Sequence, residues 1–221
     1  MKPTNGLLAL FLEWLALFVW RLKLLFAYPP NKAAKSEGRS RPTGEDAKPG
    51  ISVAISSGHG ARVPGAIGIL NEVREARRVV KRVAKHLREM GVTAHEFHDD
   101  DSATQGQNLD AIIGWHNRQK CDMDASVHFN AFMPTDGPMG TEVYYLSDSK
   151  AAKNVSKAIA AAGGFRNRGG KLGSFAFLRL TKKPAILIEV CFVDSATDAS
   201  LYETNFDAIC RAIAEALAGA A

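Results

Sequence analysis

Apolar residues fall in two rhythms along this chain, and the rhythms take turns. Ile51, Val53 and Ile55 alternate with small or polar neighbours, as in a strand, and the run ends in Ser56-Ser57-Gly58-His59-Gly60. Leu70–Met90 then places Val73, Ala76, Val80, Ala84 and Leu87 at helical spacing, and Gly91 stops the helix. Val92–Phe97 predicts a strand, and Gln105–Arg118 a helix with Leu109, Ile112 and Ile113 facing inward. Met123–Phe129 and Gly140–Leu146 predict strands, followed by a helix over Ala151–Ala162 that ends at Gly163-Gly164. Phe165–Leu180 fits neither period; basic and glycine-rich, it reads as a loop lining a substrate. Pro184–Val190 is almost wholly apolar, as expected of a buried parallel strand, and Asp198–Ala218 closes the chain as a helix with Leu201, Ile209, Ile213 and Leu217 on one stripe. Strands and helices thus alternate in the α/β manner.

The first part of the chain follows a different pattern. Residues 7–20 are nearly all apolar, and the apolar character continues to Tyr28 across Glu13, Arg21 and Lys23. The unbroken stretch is short against the roughly 20 residues of a bilayer span. The three charges share no single helical face, and the small residues expected at a signal cleavage site are poorly placed. Three readings stand: a membrane-associated anchor, which we prefer, a cleaved signal, and a soluble or partner-binding helix. Residues 29–49 are rich in Pro, Gly, Ser and charge, which predicts a disordered linker. The organisation expected is therefore 1–28 apolar segment, 29–49 linker and 50–221 folded domain.

Charge sharpens this division. The formal net charge is +5, yet residues 1–49 hold eight Lys/Arg against four acids, whereas the remainder holds 20 against 19. A folded nucleic-acid-binding surface would carry the excess itself, so no nucleic-acid partner is expected. The helix over Leu70–Met90 has a basic face (Arg74, Arg77, Arg78, Lys81, Arg82, Lys85, Arg88), read as a solvated face rather than a site for an anionic polymer. Cys121, Cys191 and Cys210 form no C-x-x-C pair, which argues against a disulfide framework and against a thiolate zinc site.

A metal would need His and carboxylate ligands. His59 ends the first strand, Glu72 opens the first helix, and His128 lies at the end of the Met123 strand. Glu189 sits inside an apolar run, where a carboxylate is costly unless paired or functional. In open α/β sheets ligands bind at the carboxyl ends of strands, so these four can converge on one edge. Two histidines and a carboxylate leave tetrahedral zinc an open position for water, and a second carboxylate can move protons. Each also has an ordinary reading: a Gly-His-Gly turn, a helix N-terminal acid, a structural ion pair. His98-Asp99-Asp100-Asp101 is either a cation site or a loop in which Asp or Ser caps the next helix. His116 is read chiefly as a cation suited to a helix C-terminus, with a ligand role as the lesser alternative. The residues alone point to metal-assisted amide hydrolysis and no further.

Six separated blocks add a resemblance. Gly58-His59-Gly60, Gly65-Ala66-Ile67-Gly68, Glu72, Ser126–Ala131 (SVHFNA), Gly140–Val143 (GTEV) and Leu187–Asp194 (LIEVCFVD) resemble, in order and spacing, the zinc-dependent N-acetylmuramoyl-L-alanine amidases of the amidase-3 type. Thr104-Gln105 and Trp115-His116-Asn117 look most like bacteriophage endolysin catalytic domains of that family. The resemblance implies a twisted, mostly parallel sheet flanked by helices, zinc held by His59, Glu72 and His128, and Glu189 as catalytic acid/base. It implies peptidoglycan as substrate, cut at the amide between N-acetylmuramic acid and L-alanine, by a phage or prophage endolysin or a wall-remodelling enzyme. Asn130 and the Arg166–Lys171 loop, Arg166 and Lys171 in particular, are expected substrate contacts. Many family members have Asp-Pro where this chain has Ser56-Ser57, which removes a carboxylate near the metal but no ligand. The alternatives are a zinc peptidase acting on stem peptides and a non-catalytic wall-binding module.

Overall fold

The structure, a computed structural model, describes residues 50–221. The expectations for residues 1–28 and 29–49 lie outside the described residues. No helix among the described residues is long and apolar enough to cross a membrane.

Six strands form one sheet: β1 (Ser52–Ser57), β2 (Thr93–Phe97), β3 (Met123–Asn130), β4 (Thr141–Tyr145), β5 (Asn167–Leu172) and β6 (Ala185–Phe192). Their order across the sheet is β2-β1-β3-β6-β4-β5. β1 pairs in parallel with β2 and β3, β3 with β6, and β4 with β5, while β4 runs antiparallel to β6. β6 is central and buried at every position, which explains its unbroken apolar run.

The helices are α1 (Glu72–Glu89), α2 (Gln105–Arg118), α3 (Ser149–Gly163), α4 (Ala176–Leu180) and α5 (Ala196–Ala218). Their starts follow local chemistry. Asn71 Oδ1 accepts from Arg74 N at 3.0 Å ahead of α1, and Asp148 Oδ1 from Ala151 N at 2.9 Å ahead of α3. Thr104 and Gln107 form a reciprocal capping box on α2. Thr104, rather than an Asp or Ser of the acidic loop, is therefore the cap; Asp99 is occupied by the N–H groups of Asp101 and Ser102 and by Asn108 Nδ2. Gly164 ends α3 in the left-handed region at φ 71°.

Side-chain alternation divides the sheet into two faces. One carries Val53, Ile55, Ala125, Val127, Phe129, Ile186 and Ile188 and is covered by α1, α3 and α5 in the main core. The other receives Ile112 and Ile113 of α2 and Ala176, Phe177 and Leu178 of α4 against Ala185 and Leu187. The second cover is short, and it leaves the carboxyl ends of β1, β3 and β6 open on that face.

One expectation needs correction and another holds. Phe165–Leu180 is not a loop: it supplies edge strand β5 and the short helix α4. The basic face of α1 is paired with carboxylates, Arg77 with Asp100, Arg78 with Glu75 and Glu203, Arg82 with Asp207, Lys85 with Glu89 and Arg88 with Glu96. That bears out a solvated face.

Below the strand ends, the fully buried Asp198 accepts from Gly140 N (2.8 Å), Met139 N (3.1 Å) and Phe192 N (3.2 Å), tying α5 to the entry of β4 and the end of β6. Asp198→Ala leaves three backbone donors short of an acceptor. It should cost about 3–5 kcal/mol in urea unfolding, against the 1–3 kcal/mol typical per orphaned group. A loss under about 1 kcal/mol would show that these bonds do not hold the strand ends.

Candidate metal centre and active site

The site grows out of one row across the sheet. In the ladder His128 of β3 is level with Glu189 of β6, and Glu189 is level with Glu142 of β4. Neighbouring strands lie about 4.8 Å apart, so three polar side chains stand side by side on the open face. On the far side of His128 the row continues into Gly58, whose N–H donates to Val127 O at 2.9 Å. A Cβ at Gly58 would lie 1.9 Å from the His128 ring, so only glycine leaves that ring room.

His59 and Glu72 reach in from the β1–α1 connection. Glu72 Oε1 lies 3.0 Å from His128 Nδ1 and 3.5 Å from His59 Nε2. It also accepts from Phe129 N at 3.1 Å, while Oε2 accepts from Ala66 N at 2.6 Å. Gly65 permits this approach, because a Cβ there would fall 2.5 Å from Glu72 Oε2 and 2.9 Å from His59 Cδ2. One ligand atom from each of His59, Glu72 and His128 lies within 4.8 Å of the others, the metal-competent group found among the described residues. The two imidazoles meet edge to face at 5.2 Å between centroids.

The donor set suits zinc. Two imidazole nitrogens and one carboxylate oxygen are the ligands of open, catalytic zinc sites. The shell behind them fixes orientation: Ser126 Oγ sits 3.1 Å from His128 Nε2, which directs Nδ1 toward the Glu72 side. Glu72 is 2% exposed. Burial would raise its pKa, but the charges of His59 and His128, the His128 hydrogen bond and the Ala66 N–H together hold it well below the usual carboxylate range. It stays an anion, the form a cation requires.

Glu189 is 3% exposed and stands next to His128 rather than inside the three-residue group. Thus the structure brings together all four residues singled out from sequence, three as a cluster and one beside it. Asn130 joins them indirectly: its Nδ2 donates to Glu142 Oε1 at 2.8 Å. Lys171 also reaches this corner, with Nζ 2.5 Å from Glu142 Oε2. Arg166 does not. It is exposed, and its backbone carbonyl accepts from Thr141 N. The arginine that turns inward is Arg168, whose Nε lies 2.5 Å from Glu142 Oε2 and whose guanidinium covers Phe192 at 5.0 Å.

Glu142 is the site residue that sequence reasoning missed, and Arg168 lay within the expected Arg166–Lys171 loop without being singled out. Burial would raise the Glu142 pKa, but hydrogen bonds from Lys171, Arg168 and Tyr144 outweigh it and keep the carboxylate ionised. The available signal was an acid in an alternating strand followed by a basic stretch able to cover it.

His116 is a correction. It is fully buried, with Nδ1 2.8 Å from Asp124 Oδ1 and Nε2 2.9 Å from Ser56 Oγ, away from the metal-competent group. Burial lowers its pKa against the opposing Asp124 hydrogen bond, so it is no dipole-stabilised cation. The Asp–His–Ser order is that of a hydrolytic triad, but all three side chains are sealed from solvent and no substrate reaches Ser56. His98 likewise turns away, with Nδ1 3.0 Å from Ser57 Oγ, and burial aided by Arg77 and Lys81 lowers its pKa to about 4.

Comparison with known proteins bears on the whole domain. The profile of a family described as N-acetylmuramoyl-L-alanine amidase matches residues 53–219. An uncharacterized protein of Clostridium perfringens (strain 13 / Type A) is 32% identical over 176 residues, 76% of this chain and 51% of that protein. The N-acetylmuramoyl-L-alanine amidase LytC of Bacillus subtilis (strain 168) is 29% identical over 158 residues, 68% of this chain and 31% of LytC. The catalytic domain of the CD27L endolysin targeting Clostridia difficile has the same fold, with a TM-score of 0.69 at 23% identity over 76% of this chain and 96% of that domain. The chain spans about half the length of the Clostridium relative. It belongs to the N-acetylmuramoyl-L-alanine amidase family.

Gly58→Ala tests the geometry of the cluster. The added methyl must displace the His128 ring, so cobalt(II) or zinc affinity should fall at least about tenfold, the lower end of the range for disturbing a ligand's support. Unchanged affinity would mean that His128 does not bind the metal.

Proposed function

We propose that this member of the family hydrolyses the amide between N-acetylmuramic acid and the L-alanine of the peptidoglycan stem, with a zinc ion held by His59, Glu72 and His128 and with Glu189 as acid/base. Zinc bound there would polarise the scissile carbonyl and make water a competent nucleophile near neutral pH. The chain's own residues supply the rest. Glu72, anchored by the Ala66 and Phe129 N–H groups, keeps a negative ligand in place, and Ser126 holds His128 in the orientation that presents Nδ1. Glu189 takes a proton from the attacking water and passes it to the nitrogen of the leaving L-alanine, a transfer that needs a carboxylate on the open face beside the ligands.

The observation that carries this reading is the register between β3 and β6, which places Glu189 level with His128. The family match across residues 53–219 supports the choice of bond over a zinc peptidase acting within the stem. A buried acid beside a complete ligand set supports turnover over simple wall binding. Action at the cell wall follows from the substrate. The residue 7–28 segment is read as the means of membrane association, the folded domain begins at about residue 50, and the enzyme acts as a monomer.

Glu189→Gln is the direct test. The variant should retain zinc at wild-type stoichiometry while turnover of muramoyl-peptide substrate falls by about two to four orders of magnitude, as expected for loss of a general acid/base. Near-wild-type turnover would remove Glu189 from the mechanism; loss of zinc as well would make it a ligand instead.

A further inference from the structure

Beyond Glu189 the sheet presents a group that the hydrolytic chemistry does not use. Glu142 is 2% exposed and both of its oxygens are doubly engaged: Oε1 accepts from Asn130 Nδ2 and Tyr144 OH, both at 2.8 Å, and Oε2 faces both Arg168 Nε and Lys171 Nζ at 2.5 Å. One carboxylate therefore faces two cations, and the three groups together carry one positive charge. One cation is enough to neutralise Glu142, so the second leaves an uncompensated positive charge at this corner. The two cations are not sealed in: the Arg168 side chain is 27% and the Lys171 side chain 36% exposed. Arg168 is held rigidly, with Nη1 3.4 Å from Met139 O and its plane on Phe192. Lys171 Nζ stands 6.0 Å from the centre of the Tyr144 ring. Glu142 and Phe192 thus pre-orient two donors at the edge of the cleft.

Their distance from Glu189 sets what they can read. Glu189 passes its proton to the departing nitrogen, so the leaving peptide lies on its side of the metal centre. Glu142 is one strand further, about 4.8 Å; Lys171 comes from the next strand out, and the Arg168 guanidinium leans back over Phe192 of β6. An extended peptide advances about 3.3–3.6 Å per residue, so the group that arrives there belongs to the residue after L-alanine. In peptidoglycan stems that residue is D-glutamate or its α-amide.

We propose that Arg168 and Lys171, oriented by Glu142, form a carboxylate subsite that reads the free α-carboxylate of this second stem residue and so favours unamidated over amidated peptidoglycan. The inference rests on the proposed bond specificity, because that fixes which residue follows the cut. An arginine–lysine pair gives a planar fork and a mobile ammonium, and a carboxylate can engage both.

The test compares two synthetic substrates that differ in one group, N-acetylmuramoyl-L-alanyl-D-glutamate and N-acetylmuramoyl-L-alanyl-D-isoglutamine, with the full chain as zinc enzyme. We expect kcat/KM to favour the free acid by about tenfold, mainly through KM, as for a charge-assisted hydrogen bond. Lys171→Gln and Arg168→Gln should each bring the ratio toward one, with Glu142 still paired by the remaining cation so that the fold is kept. Arg166→Gln, at an exposed neighbour, should keep the wild-type ratio. Equal rates on the two substrates, or a preference that survives in both inner variants, would overturn the subsite while leaving the amidase reading intact. Cleavage of neither substrate would overturn that reading and the subsite with it.

Discussion

A carboxylate held ionised almost out of contact with water is the constraint on which the rest of the site depends. Removing such a charge from solvent costs several kcal/mol unless hydrogen bonds and opposite charge replace the water. Glu72 has the replacements: two backbone N–H groups, from Ala66 and Phe129, and two imidazoles. They come in pairs from two stretches of chain, His59 and Ala66 from the β1–α1 connection and His128 and Phe129 from β3, so both stretches and the first turn of α1 must be in place before the charge is tolerated. Two glycines serve the same end. Gly65 lets the loop pass over Glu72, and Gly58 leaves the space that the His128 ring fills. A side chain at either position would displace a candidate ligand.

The sheet turns that local constraint into a functional layout. Strand pairing is a ruler, and here it lays out His128, Glu189 and Glu142 in sequence across three strands. One level down, Ser126 pairs with Ser56, and the buried His116 and Asp124 continue the polar layer. Lys183 adds a cation 3.4 Å from Asp124 Oδ2. Polar groups this deep are tolerated because they satisfy one another. Through Ser126 the layer meets the base of His128, a candidate ligand, with a polar contact rather than apolar packing. Ser56 belongs to this layer, and its buried carboxylate is Asp124, reached through His116.

Much of this was legible in the sequence, and the parts that were not share a cause. α2 was read with its observed limits because its hydrophobic spacing is a local signal, although its cap proved to be Thr104. His59, Glu72, His128 and Glu189 were legible because each sits at the end of a rigid element or inside an apolar run, where its residue type is out of place. The direction of β4 was not legible, since alternation looks the same read either way. β5 was hidden by Gly169, Gly170 and its charges, and its irregular pairing with β4 explains the Arg166 error. Thr141 faces Asn167 but Val143 faces Gly170, so β5 carries an extra residue there, with Gly169 at φ 81°. That bulge turns Arg168 inward while Arg166 stays in solvent. Glu142 was read only as part of a strand and of a resemblance block, because the cations that cover it come from another strand. His116 was misread for the same reason: its helix position suggested a cation, and only the packing of α2 on β3 shows it buried.

The central claim is that the His59–Glu72–His128 cluster and Glu189 form one zinc-dependent centre for a single amide bond. The most direct measurement is release of new amino termini from purified peptidoglycan by the full chain, in chelator and after zinc is restored, with each terminus identified. The account predicts that release stops in chelator, returns with zinc and yields L-alanine termini with intact muramic acid. Release that ignores the chelator, or termini from within the stem peptide, would contradict it.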